Sequence, residues 1–362
     1  QLGGRQLRQQ KLPRRHHRPA HDICGLGEWV GRRVEARHGG LVDAFLGGGQ
    51  DRAGCDGLAG SQRTMFAIEG ADKHAAGFRL VDDAVRIKSR LDRLAARKRR
   101  ASVVIVGGGV SGIEVLGEIL RRRAQGDEFN VHVVELESRI LAQQPEGLAD
   151  DAVQRFAPYP VTLHTDAAVK QVSTRSVTLE SGERLTADLC IWSAGMTLPD
   201  FLRDAGLNAD DDEWLPVDDT LQSLYADNIF VAGDCASLPV PVRKQAYYAM
   251  DMGEVAGDNI NRLLGERRLR RFRPAPMPML ISFGDITTWL VAGESVVASP
   301  ILAAAKEGVY QATMARLESP QEPLRYSADI VGRAVMATRQ LLLPQLTPAK
   351  LLLGLTGSRI IL

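Results

Sequence analysis

Apolar and polar residues along this chain change rhythm several times, and each change marks an element. Val103-Val104-Ile105-Val106 is an unbroken apolar run, the pattern of a strand buried on both faces. It runs into Gly107-Gly108-Gly109-Val110-Ser111-Gly112, after which a helical pattern continues through Leu120. Val131-His132-Val133-Val134 predicts a second strand, ending on Glu135. From Val161 to Ser193 the period shortens. Val161–His164, Val169–Val172 and Ser176–Leu179 read as short strands, with Ser181-Gly182 as a hairpin turn before Leu185. Leu189-Cys190-Ile191-Trp192 is a further buried strand and stops at Ser193-Ala194-Gly195. Asn228 to Ala232 repeats the form and ends at Gly233-Asp234. Strands alternating with helical stretches predict an α/β, doubly wound architecture.

The spacing Gly-x-Gly-x-x-Gly over residues 107–112, between a strand and a helix, is a dinucleotide-binding fingerprint. Gly107 permits the tight turn, Gly109 lets the backbone approach a pyrophosphate, and Gly112 lets the helix pack on the sheet. Gly108, Val110 and Ser111 complete the loop, and the helix that starts there turns its amides toward the phosphates. Glu135 falls where a ribose would lie. A carboxylate there accepts from a 2′-hydroxyl and repels a 2′-phosphate, which favours NADH over NADPH; a plain strand-end glutamate is the alternative. Ala194 and Gly195, small residues at a strand's carboxyl end, leave room for a flat nicotinamide or serve as ordinary turn residues.

In this order the pieces resemble the two-dinucleotide flavoproteins of the pyridine nucleotide–disulfide oxidoreductase superfamily. Within it they are most similar to the type II NADH dehydrogenases, which pass electrons from NADH through FAD to a quinone. The resemblance runs from about Ala67 to about Leu317. It is carried by Ile68-Glu69-Gly70 through Leu91, the nucleotide fold from Ser102, Trp192 to Gly195, and Phe230 to Ala236. Lys244-Gln245-Ala246 and Ser282-Phe283-Gly284-Asp285 complete it. The resemblance implies that Asp234, after Gly233, bonds a ribityl hydroxyl of FAD. It implies that Gln245 and Ala246 lie at the flavin edge, where helix amides stabilise negative charge. It also implies that Glu114 tunes charge near nicotinamide and flavin, and that Lys244 and Gln245 line the acceptor side. The alternatives are an N-cap for Asp234, a helix-surface position for Glu114, and an exposed helix turn for Lys244 and Gln245.

The expected fold is therefore a Rossmann-type, two-dinucleotide-binding flavoprotein whose first FAD-binding βαβ unit is missing, followed by C-terminal helices. Its expected parts are an atypical Arg/Gly-rich segment (1–64), a linker with the remainder of the FAD domain (65–100), and the NADH domain (101–195). A returning FAD segment (196–270) and a C-terminal domain with an amphipathic tail (271–362) complete the list. Residues 1–64 contain no Gly-x-Gly-x-x-Gly: Gly47-Gly48-Gly49 is followed by Arg52, and Leu41 to Leu46 is a poor buried strand. Ten arginines against one lysine, with four of the chain's seven histidines, read as a disordered basic tail or an out-of-frame translation. Asp22, Glu28, Glu35, Asp43 and Asp51 count against a mitochondrial targeting peptide. FAD is expected to be held weakly without that unit.

A net charge of +1 gives no reason to expect nucleic acid as a partner. The four cysteines, Cys24, Cys55, Cys190 and Cys235, form no Cys-x-x-Cys pair, which excludes a redox-active dithiol and fits a reducing cytoplasm. His16, His17, His21 and Cys24 lack a second spaced ligand pair, so no metal is expected. No run of 18 apolar residues predicts a spanning helix. Ile330 to Leu343, closed by Pro344, and Ala349 to Leu355 after Thr347-Pro348 read as an interfacial anchor on the inner face of the cell membrane. The same leucines would also suit the core or a dimer interface. The expected function is NADH:quinone oxidation. Its rivals are a soluble flavin-dependent NAD(P)H reductase, a flavin-poor nucleotide-binding remnant without turnover, and an NAD-binding sensor.

Overall fold

The computed structural model describes residues 61–309 except 66, 98, 124–125, 205, 208–212 and 307, together with strands at 34–35, 41–46 and 359–361. Before the nucleotide loop lie β1 (Val34–Glu35), β2 (Leu41–Leu46), β3 (Gln62–Arg63), α1 (Ala71–His74), β4 (Ala75–Gly77) and α2 (Val81–Ala95). The predicted strand and helix around the glycines are β5 (Ala101–Val106) and α3 (Val110–Arg123), followed by β6 (Phe129–Val134) and α4 (Glu146–Phe156). The short-period region folds as read: β7 (Val161–His164), β8 (Val169–Val172), β9 (Ser176–Leu179), β10 (Arg184–Thr186) and β11 (Leu189–Trp192).

Five parallel strands form the nucleotide sheet in the order β4-β11-β5-β6-β7, with β5 in the middle. Because side chains alternate across a strand, β5 serves two cores. Val103 and Ile105 join α2, α3 and α4 on one face, while Val104 and Val106 meet the antiparallel β8-β9-β10 sheet on the other. Residues buried on both faces need no polar alternation, which explains the continuous apolar run. β4, from the stretch expected to link two domains, adds itself to the edge of this sheet.

The next segment contains β12 (Met196–Thr197), α5 (Asp200–Arg203), β13 (Leu215–Pro216), β14 (Ile229–Ala232), β15 (Ala236–Ser237) and α6 (Ala246–Leu264). Tyr248, Met252, Val255, Ala256 and Ile260 repeat at helical spacing, and α6 buries that stripe against Phe230 and Val231 of β14. β14 pairs in parallel with β2, Ile229 opposite Asp43 and Ala232 opposite Leu46. The reading of Leu41 to Leu46 as a poor strand is thus corrected: pairing with a distant buried strand overrides a local pattern that Asp43 interrupts.

Beyond α6 the described residues hold a sheet that the sequence pattern did not announce. β16 (Met279–Phe283), β17 (Thr287–Ala292), β18 (Ser295–Ala298) and β19 (Arg359–Ile361) form one antiparallel sheet in chain order. Ile360 and Ile361 are strand residues paired with β18. The predicted segments from Ile330 to Leu355 lie outside the described residues. This sheet shares one core with the nucleotide unit. Trp289 is fully buried, and its indole N–H donates to Asp151 of α4 at 2.7 Å. A Cβ added to Gly117 of α3 would lie 2.5 Å from the Gly284 nitrogen and 2.6 Å from the Phe283 carbonyl carbon.

Gly-to-Ala changes inside helices ordinarily stabilise by about 1 kcal/mol. Here the added methyl meets backbone, so Gly117→Ala should instead destabilise by roughly 1–3 kcal/mol, the usual cost of overpacking. Urea unfolding of the two proteins checks the sign.

Candidate functional site

The nucleotide loop is set by close backbone approach at the ends of β5 and β11. Gly107 has φ +99°, and its N–H donates to the Val134 carbonyl at 2.8 Å. A Cβ at Gly112 would stand 1.8 Å from the Gly107 oxygen. Ser193 Oγ donates to the carbonyls of Val106 and Gly107, at 2.9 and 3.0 Å, which fastens the loop to β11. Gly109 differs from its neighbours: a Cβ there meets nothing within 4 Å. The protein itself does not require glycine at 109, whereas an anion brought against the first amides of α3 would. Val110 begins that helix, and Ser111 is exposed on its first turn.

Glu135 follows β6 and turns back over the loop. Its Oε2 accepts from the Gly108 N–H at 2.6 Å and its Oε1 from the Glu137 N–H at 3.0 Å. Each carboxylate oxygen keeps a lone pair for a further donor. Ala194 lies against Gly107, whose added Cβ would fall 2.9 Å from the Ala194 nitrogen, and the Ala194 carbonyl accepts from Trp192 Nε1 at 2.9 Å. Gly195 then leads into β12.

A second turn follows β14. Gly233 has φ +84°, and Asp234 Oδ2 accepts from Ser61 Oγ at 3.1 Å and from Arg79 Nη2 at 3.3 Å. Ser61 and Arg79 also touch the Met196 sulfur, immediately after Gly195, at 3.9 and 3.4 Å. The start of β12, four residues past β11, and the Gly233-Asp234 turn therefore share two side chains. Asp234 is not a helix cap, because Gln245 occupies the N-cap of α6. Gln245 Oε1 is buried without a hydrogen-bond partner among the described residues, and Ala246 is exposed on the first turn of α6. That orphan acceptor beside free helix amides suits the polar edge of a flat ring.

Lys244 Nζ donates to the Asp234 carbonyl oxygen and lies 3.4 Å from the centroid of the Trp214 ring. Burial lowers the pKa of this ammonium, against the opposing pull of Asp234. Glu114 is not a free surface group: its Oε1 accepts from the Ser282 N–H at 2.9 Å and from Lys306 Nζ. Cys190 and Cys235 are buried thiols, each pushed up to about 12 by desolvation. Both are therefore protonated and inert at neutral pH. Among the described residues no cluster of three or more His, Cys, Asp or Glu could hold a metal ion. Ser61, Arg79, Ser193 and Trp214 were not singled out from the sequence. Ser193 alone carried a signal, as the small polar residue that ends a buried strand.

A family model described as pyridine nucleotide-disulphide oxidoreductase matches residues 59–253, more than half of the chain. The demethylphylloquinone reductase of Synechocystis sp. is 29% identical over 181 residues, covering 49% of this chain and 44% of that protein. The type II NADH:quinone oxidoreductase of Haemophilus influenzae is 26% identical over 207 residues, covering 52% and 46%. The chain thus spans about half the length of the curated relatives it matches. Among solved structures, NDH2 from Plasmodium falciparum in complex with NADH superposes with a TM-score of 0.64 at 14% identity, over 80% of this chain and 78% of that one. At that identity the likeness establishes the fold.

Two glycines of the loop should respond differently to substitution. Gly112→Ala, driven into the Gly107 carbonyl, should lower the urea midpoint by an amount equivalent to about 1–3 kcal/mol. Gly109→Val should leave the midpoint near wild type yet weaken NADH binding roughly tenfold, the scale of one lost hydrogen bond to a charged group. Unfolding curves and fluorescence titration with NADH separate the two effects.

Proposed function

The chain belongs to the pyridine nucleotide-disulphide oxidoreductase family, and from that premise we propose that it is an FAD-dependent NADH:quinone oxidoreductase. The observation that carries this reading is the sharing of Ser61 and Arg79 between Met196, four residues past β11, and the Gly233-Asp234 turn. These contacts tie the Gly233-Asp234 turn to the segment that leaves β11, and ligands of open α/β sheets bind outside the carboxyl ends of such strands. The relatives named for quinone and phylloquinone reduction support the choice of acceptor.

The open space at Gly109 and the orphan Gln245 Oε1 fit NADH and FAD respectively. When bound, FAD supplies the hydride acceptance and electron delivery that no side chain offers. The chain's residues hold and orient. Gly107 to Gly112, with Val110 and Ser111, seat the pyrophosphate of NADH on the start of α3. Glu135 accepts from the adenosine ribose, and Ala194 and Gly195 leave the nicotinamide a path. Asp234, already oriented by Ser61 and Arg79, accepts from the ribityl chain. Gln245, Ala246 and the Lys244 ammonium face the flavin with donors and positive charge. Glu114, two residues past the phosphate loop, is held by Lys306 and the Ser282 amide and so places an ion pair there.

A quinone reaches such a site from the lipid phase. No described helix is long and apolar enough to cross a membrane. The apolar stretch from Ile330 to Leu355 supports peripheral attachment to the inner face of the cell membrane.

With FAD supplied, the purified chain should oxidise NADH with a short-chain quinone as acceptor. Turnover with soluble acceptors alone would mark a soluble reductase. NADH binding by a chain that stays colourless in excess FAD would mark a nucleotide-binding protein without turnover. Glu135→Ser should lower the ratio of kcat/KM for NADH over NADPH by about tenfold or more, since one buried-site charge repulsion is removed; steady-state kinetics with both nucleotides read that ratio.

A further inference from the structure

A lysine side chain is long and flexible, yet Lys244 is held at both its charge and its contact face. Its Nζ donates to the Asp234 carbonyl, and the Trp214 ring lies 3.4 Å away, an arrangement in which the ring's negative face attracts the ammonium. Trp214 is not a chance neighbour. It immediately precedes β13, which pairs in parallel with β15, and the Leu215 N–H donates to the Cys235 carbonyl at 2.9 Å. Those bonds fix the backbone that carries the indole to the residues that directly follow Asp234. Asp234 and Glu213 add electrostatic attraction. Lys244 also precedes Gln245, the N-cap of α6, so its charge adds to the positive end of a 19-residue helix.

We propose that Trp214 is a positioning residue: it clamps the Lys244 ammonium against the Gly233-Asp234 turn and so presents a fixed positive charge to the electron-transfer site. A charge fixed before the reaction costs no reorganisation when negative charge develops beside it. The clamp itself is a property of this chain; its electrostatic purpose rests on the flavin reading given above.

Two measurements test it, and the first needs no flavin. Amine acylation of the purified chain, followed residue by residue by mass spectrometry, should label Lys244 about tenfold more slowly than Lys88, an expectation set by a desolvated cation–π contact. Lys88 is a fit reference because its side chain is 73% exposed. Trp214→Leu should bring Lys244 up to the rate of Lys88, and Trp214→Phe, which keeps an aromatic face, should retain most of the protection. Equal rates for Lys244 and Lys88 in the wild-type chain, or no change in Trp214→Leu, would overturn the clamp.

The second measurement is the midpoint potential of the FAD-loaded chain. Lys244→Met and Trp214→Leu should each make it more negative, the double variant no further than Lys244→Met, and Trp214→Phe should restore it. A Trp214→Leu potential equal to wild type beside a shifted Lys244→Met would refute the positioning role. A chain that takes up no FAD would sink the flavin reading, while the acylation rates would still decide the clamp.

Discussion

The site depends on how closely backbone can approach backbone where β5 and β11 end. With a Cβ at Gly112 falling 1.8 Å from the Gly107 oxygen, the turn into α3 exists only because that atom is absent. Ser193 fastens the turn to β11, its hydroxyl directed at the Val106 and Gly107 carbonyls and its N–H donating to Val106. Everything the loop presents follows from that compaction: the amides at the start of α3, the clear space before Gly109, and the Gly108 N–H that holds Glu135 in place. Through Gly117 and Gly284 the same helix is pressed onto the β16–β17 hairpin, so the C-terminal sheet braces α3 from behind.

The Gly233-Asp234 turn is joined to Met196 at the start of β12 through the polar side chains of Ser61 and Arg79. The Arg79–Asp234 pair is partly exposed, with side-chain exposures of 30% and 23%, so its contribution to stability is modest. Its effect is geometric. Asp234, Ser61, Arg79 and Met196 come from four separate stretches of chain, and their contacts tie the Gly233-Asp234 turn to the segment that leaves β11. Lys244, bonded to the Asp234 carbonyl, extends that network to the start of α6. Cys190 and Cys235 are buried and held protonated by desolvation, so neither offers a thiolate at neutral pH.

Much of this was legible in the sequence, and for identifiable reasons. The strands from β5 to β11 show local periods that burial on one or both faces imposes, and the phosphate loop and the Gly233-Asp234 turn lie wholly within short segments. β2 was not legible, because Asp43 breaks its apolar pattern and its partner β14 lies far along the chain. The C-terminal sheet was obscured by leucine-rich segments around it, although Trp289 and Val291 do alternate with less buried positions on β17. Ser61 and Asp234 are separated by 173 residues, Arg79 and Asp234 by 155, and no local pattern announces such pairs. Trp214 beside Lys244 is hidden for the same reason.

The central claim is that both turns serve one crevice, in which nicotinamide and flavin react directly. Anaerobic addition of NADH to the FAD-loaded chain, in a stopped-flow spectrophotometer, tests it most directly. The account predicts that the visible flavin band bleaches in a first-order phase whose rate saturates with NADH concentration. A flavin band that persists while NADH binding is demonstrated separately would contradict it.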